Sequence, residues 1–475
     1  MHDIRYVCLS DMHLGEEDSL LTNTKTAKSE PDPSKPSPVL LSLVNCLKHL
    51  IQENEKAARP TLILNGDVLE LALALTNQAA MAFERFMEAI KMDDGKPLFA
   101  QIIYIPGNHD HHIWEIARET QYVHYIEKVK PGNELAAPLH TTKMFYDSAE
   151  DLLPAYFLTN LVQRYTHLKN SDIKVAYPNY GLRSEDGKRC VVFHHGHFIE
   201  SIYQLMSRLQ RLLFNREMPS EIEEIEAENF AWIDFFWSTL GRSGEAGVAI
   251  ESIYEHMLQL DHFKKLLSRF ARNLAEQYDL PGWGDWLEAT LLEKILHGLA
   301  DKFSKRERTE TALPLSKDAE DGLWNYVEGP LRNQILSECN GEMPPEVSIV
   351  LGHTHKPFQQ DLQFSGYPQW VDVYNTGGWV VETVLREPIH GGAVVLVDES
   401  LNLTSLRMYN ESADPSGYEV RAEEASHAGQ KPNPFHDKIK KLLKKKEKVF
   451  REFSEITERT VYIRAQKLRS RMKRL

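Results

Sequence analysis

Five apolar runs in this chain of 475 residues each end in a cluster of histidine, aspartate or asparagine, and that recurrence limits the folds open to it. "IRYVCLS" (4–10) runs into "DMHLG", "PTLIL" into "NGDVLEL" (65–71), "QIIYI" into "PGNHD" (106–110), "RCVVF" into "HHGH" (194–197) and "VSIV" into "LGHTH" (351–355). Short apolar runs bounded by turn residues read as buried strands. Two stretches with helical apolar spacing, 39–57 and 78–91, separate the first three. Strand–helix–strand alternation predicts an α/β sheet. In such sheets ligands collect beyond the carboxyl ends of the strands. A core does not bury so many polar side chains without partners, so the five strand ends are expected to converge on one crevice.

The pattern continues with two strands around an Asp-Gly turn in 173–197 and with further strands in 370–380 and 391–400. Residues 198–345 interrupt it with helix-rich sequence. The organisation expected is therefore a core of 1–197 and 346–410, a helical insertion (lid or cap) at 198–345, a linker at 411–434 and a basic helix at 435–475. Within the insertion, "FAWIDFFWSTL" (230–240) reads as packing between helices, or as an apolar chamber for a substrate chain. Residues 16–38, rich in Pro, Ser and Lys, read as a mobile loop.

The net charge of -14 conceals an asymmetry. Residues 431–475 hold 16 Lys/Arg against 5 Asp/Glu, which leaves the remainder at -25. An acidic body disfavours a nucleic-acid groove. The tail carries an apolar stripe (Phe435, Ile439, Leu442, Val449, Phe453, Ile456 and Ile463) on a basic ground. Such a helix suits an anionic membrane surface, a partner helix or the acidic body itself. Mean hydropathy is -0.42, and no apolar run reaches the length of a bilayer span. The opening "MHDIRYVCLSDMHLG" lacks the basic and apolar regions of a signal peptide. The four cysteines are scattered and are expected to be reduced and mostly buried. A cytoplasmic protein, with peripheral membrane contact through the tail as one option, is the expectation.

The side chains at the strand ends are Asp11, His13, Asp67, Asn108, His109, Asp110, His195, His197, His353 and His355. Imidazole, carboxylate and amide oxygen together suit borderline or hard divalent ions. No cysteine contributes, which excludes a thiolate zinc site. There are too many ligands for one metal, whereas two ions sharing a bridging carboxylate use them all. His111 and His112 fall at a helix start, where solvated or capping roles are expected. His194 is expected to point away from the crevice as a satisfied core residue.

These ordered motifs, Asp-x-His, Gly-Asp-x-x, Gly-Asn-His-Asp, a histidine before Gly and Gly-His-x-His, resemble those of the calcineurin-like metallophosphoesterases. The resemblance covers roughly residues 1–197 and 347–400, outside the helical block and the tail. It implies a four-layer α/β/β/α sandwich, here with a large helical insertion and a C-terminal basic helix. It also implies a centre of two divalent ions drawn from Mn, Fe, Zn or Co, with manganese preferred. Carried over by position, Asp11, His13 and His355 hold one ion, Asn108, His195 and His353 the other, and Asp67 bridges them. His195 is the ligand of "HHGH" because it directly precedes Gly196. His109 is implied to face the substrate phosphate, and Asp110 to orient it. His197 and Asn375, the latter in "NTGGW" (375–379), are candidates for contact with substrate. Glu70 in "GDVLEL", followed by the helical insertion, resembles the branch containing the UDP-2,3-diacylglucosamine diphosphatases, whose insertion holds acyl chains.

The function implied is hydrolysis of a phosphate ester by attack of a hydroxide shared between the two ions. The leading substrate class is a phosphodiester or pyrophosphate bond in a lipid-linked or nucleotide-linked compound. Two other readings stand beside it. One is a nuclease or cyclic-nucleotide phosphodiesterase, which the acidic body disfavours. The other is a non-catalytic scaffold, which has no need of seven intact ligands.

Overall fold

A computed structural model describes residues 2–56, 58–214, 216–239, 313–427 and 432–472. It is an α/β structure with two mixed sheets. The strands are β1 (Ile4–Leu9), β2 (Thr61–Asn65), β3 (Gln101–Ile105), β4 (Leu153–Pro154), β5 (Ile173–Val175), β6 (Asn179–Arg183), β7 (Arg189–His194), β8 (Glu346–Leu351), β9 (Phe358–Leu362), β10 (Val371–Asn375), β11 (Gly391–Asp398), β12 (Leu403–Asn410) and β13 (Arg421–Glu423). The described helices are α1 (Pro38–Ile51), α2 (Thr76–Ala89), α3 (His111–Ile126), α4 (Tyr156–Val162), α5 (Leu205–Phe214), α6 (Ile222–Ile233), α7 (Lys317–Tyr326), α8 (Arg332–Glu338), α9 (Pro434–Lys445) and α10 (Glu447–Met472). The larger sheet has the order β13-β12-β11-β1-β2-β3-β5-β4, and the smaller β6-β7-β8-β10-β9.

Parallel pairing runs through β1, β2, β3 and β5 in one sheet and through β7, β8 and β10 in the other. These strands carry all five motifs, so their carboxyl ends lie on a common side of each sheet. The period-two alternation of strand side chains sorts the core into layers. Cys8, Ile63, Ile103 and Val395 of the larger sheet meet Val191, Phe193, Val350 and Tyr374 of the smaller. On the larger sheet's other face, Leu62, Leu64 and Val394 share a cluster with Leu43, Phe83 and Phe86 of α1 and α2. On the smaller sheet's other face, Val192, Ile349 and Val373 join Ile225, Leu323 and Ile335 of α6, α7 and α8. All four cysteines are free and buried. No helix among the described residues is long and apolar enough to cross a membrane.

Two segments differ from expectation, and the tail takes one of the options open to it. Residues 16–38 are not a mobile loop: Leu20 and Leu21 are buried, and Ser37 caps α1 by accepting from Val39 N (3.1 Å) and Leu40 N (3.3 Å). The stretch 411–434 is not a bare linker, because β13 pairs with β12 and Tyr418 is buried. The basic tail is two helices that lie on the body. Phe435, Ile439 and Phe453 of its apolar stripe are fully buried in the cluster that contains α1. The tail and loop 16–38 order each other through charge. Arg464 is fully buried and donates to Ser19 O and Thr22 O, while Lys467 and Arg471 pair with Glu17, and Arg471 also with Asp18. A polar composition that reads as disorder in isolation therefore becomes an ion-pair surface against an oppositely charged helix. Of the insertion, residues 240–312 lie outside the described residues. The described part of "FAWIDFFWSTL" is used for packing: Phe230 meets the His111 ring edge-on at 5.0 Å and Trp237 meets Tyr203 at 5.0 Å.

Phe453 sits 6.5 Å from Trp379, which follows directly on Gly378 behind the His355 ring. Phe453→Ala is expected to lower stability to urea by about 3–5 kcal/mol, the usual cost of emptying a buried aromatic site. An unchanged unfolding curve would show that the tail is undocked in solution.

Candidate metal centre

The motif residues sit on unusual backbone. Asp11, His13, Asp67, His353 and His355 all adopt positive φ, from 43° to 72°. Among the described residues only Asn340 and Leu401 are other non-glycine residues of this kind. Left-handed backbone costs a side-chain-bearing residue about 1–3 kcal/mol, and such strain gathers at functional sites. Here it turns each side chain off its strand end and inward. Continued pairing of the β1 and β2 loops holds it: Asp11 N donates to Gly66 O and His13 N to Asp67 O, both at 2.9 Å. Two motif glycines are required by close approach. A Cβ at Gly66 would enter the His195 ring, and one at Gly352 would strike the Asp11 carboxylate.

All seven proposed ligands are at most 2% exposed. Their acceptor atoms face one another. His13 Nε2 and His355 Nε2 are 3.2 Å apart, and His355 Nε2 is 3.3 Å from Asp11 Oδ1. His195 Nε2 lies 3.1 Å from Asp67 Oδ2 and 3.2 Å from Asn108 Oδ1. Asp67 Oδ2 is also 4.0 Å from His13 Nε2, so it faces both groups. Asp67, His195 and His353 form one set of atoms mutually within 4.8 Å, and Asp11, His13 and His355 another.

The outer contacts assign the inner atoms. His13 Nδ1 is 2.8 Å from Glu70 Oε2, His355 Nδ1 2.9 Å from Glu382 Oε1, and His353 Nε2 2.9 Å from Glu200 Oε1. His195 Nδ1 is 3.1 Å from Asn65 O. Each ligand histidine thus has one nitrogen against an outer oxygen that can only accept. An oxygen there favours the proton on that nitrogen and leaves the other to face the crevice, where a metal would take its lone pair. Asn108 Nδ2 donates to Tyr203 Oη at 3.1 Å, which fixes its Oδ1 as the inward atom. Lone pairs crowded in a buried space repel unless a cation or a proton lies among them. These buried clusters of His, Asp and Glu could hold metal ions, and the donor set fits them.

Charge follows the same logic. Burial opposes ionisation of Asp67, but His195, His109 and His13 outweigh it and hold the carboxyl well below the usual range. Burial likewise opposes charge on His195, while Asp67 and Asp11 override it and push the ring up to about 9. Burial pushes His13 down, against the pull of Glu70.

Several sequence-based roles need correction. Asp110 does not orient His109. Its oxygens accept from Gly107 N (2.7 Å), Asp67 N (3.2 Å), Val68 N (2.8 Å), Leu69 N (3.2 Å) and the Tyr104 hydroxyl, which makes it a clamp on the Asp67 loop. His109 Nδ1 meets Glu70 instead, 2.9 Å from Oε2 and 3.0 Å from Oε1. Asn375 is tied to backbone: Nδ2 donates to Gly352 O and Oδ1 accepts from Gly377 N, both at 2.8 Å, which gives it a structural role in the loop beside the crevice. His197 is outside the ion clusters, 3.4 Å from the Tyr177 hydroxyl, with its ring 5.7 Å from that of His195. His194 is buried against Tyr326, at 4.8 Å between rings, but neither nitrogen has a hydrogen-bond partner among the described residues. His111 is not solvated. It is fully buried, with Nε2 2.8 Å from Glu226 Oε1. Glu200 and Glu382 were missed. Each lies far along the chain from the histidine it holds, and neither stands in a motif.

No protein-family model matches the chain, and a search of curated proteins found none that matches it.

Metal binding requires a neutral His195 ring, which the carboxylates keep protonated near neutral pH in the metal-free protein. Manganese binding is therefore expected to release about one proton and to strengthen as pH rises toward 9. Calorimetry in buffers of different ionisation enthalpy counts that proton. Heats independent of the buffer would contradict the assignment.

Proposed function

We propose that this chain is a metal-dependent hydrolase of phosphate esters, built as the four-layer sandwich of the calcineurin-like metallophosphoesterases around two divalent cations. The observation that carries this reading is the convergence of seven buried ligands from five strand ends, with Asp67 Oδ2 facing both sets. Two facing sheets with helices outside support the sandwich. Asp11, His13 and His355 hold one cation, Asn108, His195 and His353 the other, and Asp67 belongs to both. Bound there, divalent cations supply Lewis acidity toward a water and the phosphoryl oxygens.

The remaining steps belong to the protein's own groups. Glu70 fixes His13 and His109 through their Nδ1 atoms, so one carboxylate orients both a ligand and the histidine that handles the leaving group's proton. Glu70 itself is held by accepting from Ala72 N and Leu73 N, both at 2.8 Å. The neutral amide of Asn108 adds no charge where an anionic substrate approaches. Tyr203, with its ring 5.1 Å from that of His353 and backed by Trp237, brings an aromatic wall from the insertion to the crevice. An aromatic wall beside a phosphate site suits a phosphodiester or pyrophosphate bond with a bulky lipid-linked or nucleotide-linked group. The tail lends no support to membrane delivery, since Phe435, Ile439, Leu442 and Phe453 of its apolar stripe are buried.

The test is turnover by manganese-loaded protein of a soluble diester, a soluble monoester and an acylated sugar-nucleotide diphosphate in micelles. Metal-dependent hydrolysis of at least one is expected. Asp67→Ala should abolish it with the fold retained, and Glu70→Gln should lower metal affinity or activity by about 10–100-fold. Full activity of Asp67→Ala would sink the assignment.

A further inference from the structure

We infer that a further divalent cation binds outside this centre, between α3 and the helical insertion, held by His112, Glu115 and Asp234. His112 and Glu115 lie one helical turn apart in the first turns of α3, on one face. Asp234 comes from the insertion, where it opens the π-helical turn Asp234–Ser238 that follows α6. His112 Nδ1 is 3.4 Å from Asp234 Oδ1 and 3.5 Å from Glu115 Oε2. The three donor atoms lie within 4.8 Å of one another. Single π turns are rare and cluster at functional sites, because they re-aim side chains. Here the turn also directs Ser238 Oγ to accept from His112 N at 2.9 Å, so both of its ends are keyed to α3.

The local charge calls for a cation. Behind the three donors lies the fully buried His111, 2.8 Å from Glu226 and 3.3 Å from Asp234 through its two nitrogens. The Tyr177 hydroxyl donates to the other Glu226 oxygen at 2.8 Å. Glu226 and Asp234 thus face the two nitrogens of His111, while Glu115 faces His112. Three carboxylates, Glu115, Glu226 and Asp234, therefore share two imidazoles, His111 and His112, which leaves the cluster in acidic surplus. Among the described residues no lysine or arginine comes within ion-pair distance of any of the three acids. A divalent ion on one imidazole and two carboxylates balances that surplus with a ligand set suited to zinc or manganese. The donors are partly exposed, so an ion can enter from solvent. Because α3 begins next to Asn108 and His109, the ion would staple the insertion to the core beside the crevice. This inference stands whether or not the central site hydrolyses phosphate esters.

Zinc content and thermal unfolding of the full chain test it in an Asp67→Asn background, which disables the central site. That protein is expected to gain thermal stability with added zinc. Adding Glu115→Gln and Asp234→Asn should remove the gain and lower bound zinc by about one equivalent per chain. Should Asp234→Asn fail to fold, Glu115→Gln alone, on a partly exposed side chain, is expected to weaken the zinc response. Equal zinc content and an equal thermal response with and without these substitutions would overturn the proposal and leave an imidazolium–carboxylate cluster in its place.

Discussion

Metal-binding nitrogens and oxygens packed against one another across a buried crevice are the constraint on which the rest of this structure depends. His13 and His355 meet through their Nε2 atoms, and His195 meets the oxygens of Asp67 and Asn108. In water such atoms would each be hydrated instead. Here backbone and packing forbid it. Five of the residues are held in left-handed conformation at strand ends, and the glycines beside them leave no room for retreat. Strain of this kind persists only where the surrounding structure over-determines it, and two hydrogen-bonded sheets with a shared core do so.

Around that crevice stands a layer of carboxylates that never reaches it. Glu70, Glu200 and Glu382 each take the outer nitrogen of a ligand histidine, and Asp110 binds the Asp67 loop through successive backbone amides. The division of labour follows from position. A carboxylate opposite an N–H sets a tautomer, whereas one opposite a lone pair needs a cation. Glu200 belongs to the insertion, so the helical block contributes to the centre directly and does more than cover it. The buried pair of His111 and Glu226 adds a second tie between the same two parts.

The tail shows how charge can order what composition makes look disordered. Residues 16–38 are poor candidates for structure alone, and the basic helices need a surface to cover their apolar stripe. Together they bury Arg464 on two carbonyls and pair Glu17 and Asp18 with Lys467 and Arg471. The same loop follows directly on His13, and Trp379 N donates to Asp11 O at 3.0 Å. The last helix of the chain therefore braces the first motif.

The strands that end in the five motifs, and the metal-friendly side chains at those ends, were legible because they depend on short-range pattern. An apolar run followed by Gly-Asp or Gly-His states both a strand and the turn that ends it, and imidazole beside carboxylate states the chemistry. What joins residues far apart was not legible. Nothing near Glu200 or Glu382 marks it as a histidine's partner. Asn375 and Asp110 looked like functional groups, because sequence cannot show that a polar side chain is spent on backbone amides. His111 looked solvated, because its acid partner lies 115 residues away. The amphipathic tail was open among membrane, partner and body, since a buried stripe reads the same whatever covers it. The sequence by itself determined which side chains stand at the strand ends. Only the tertiary structure decided which atom of each faces the crevice, because that depends on hydrogen bonds closed between segments that meet in space alone.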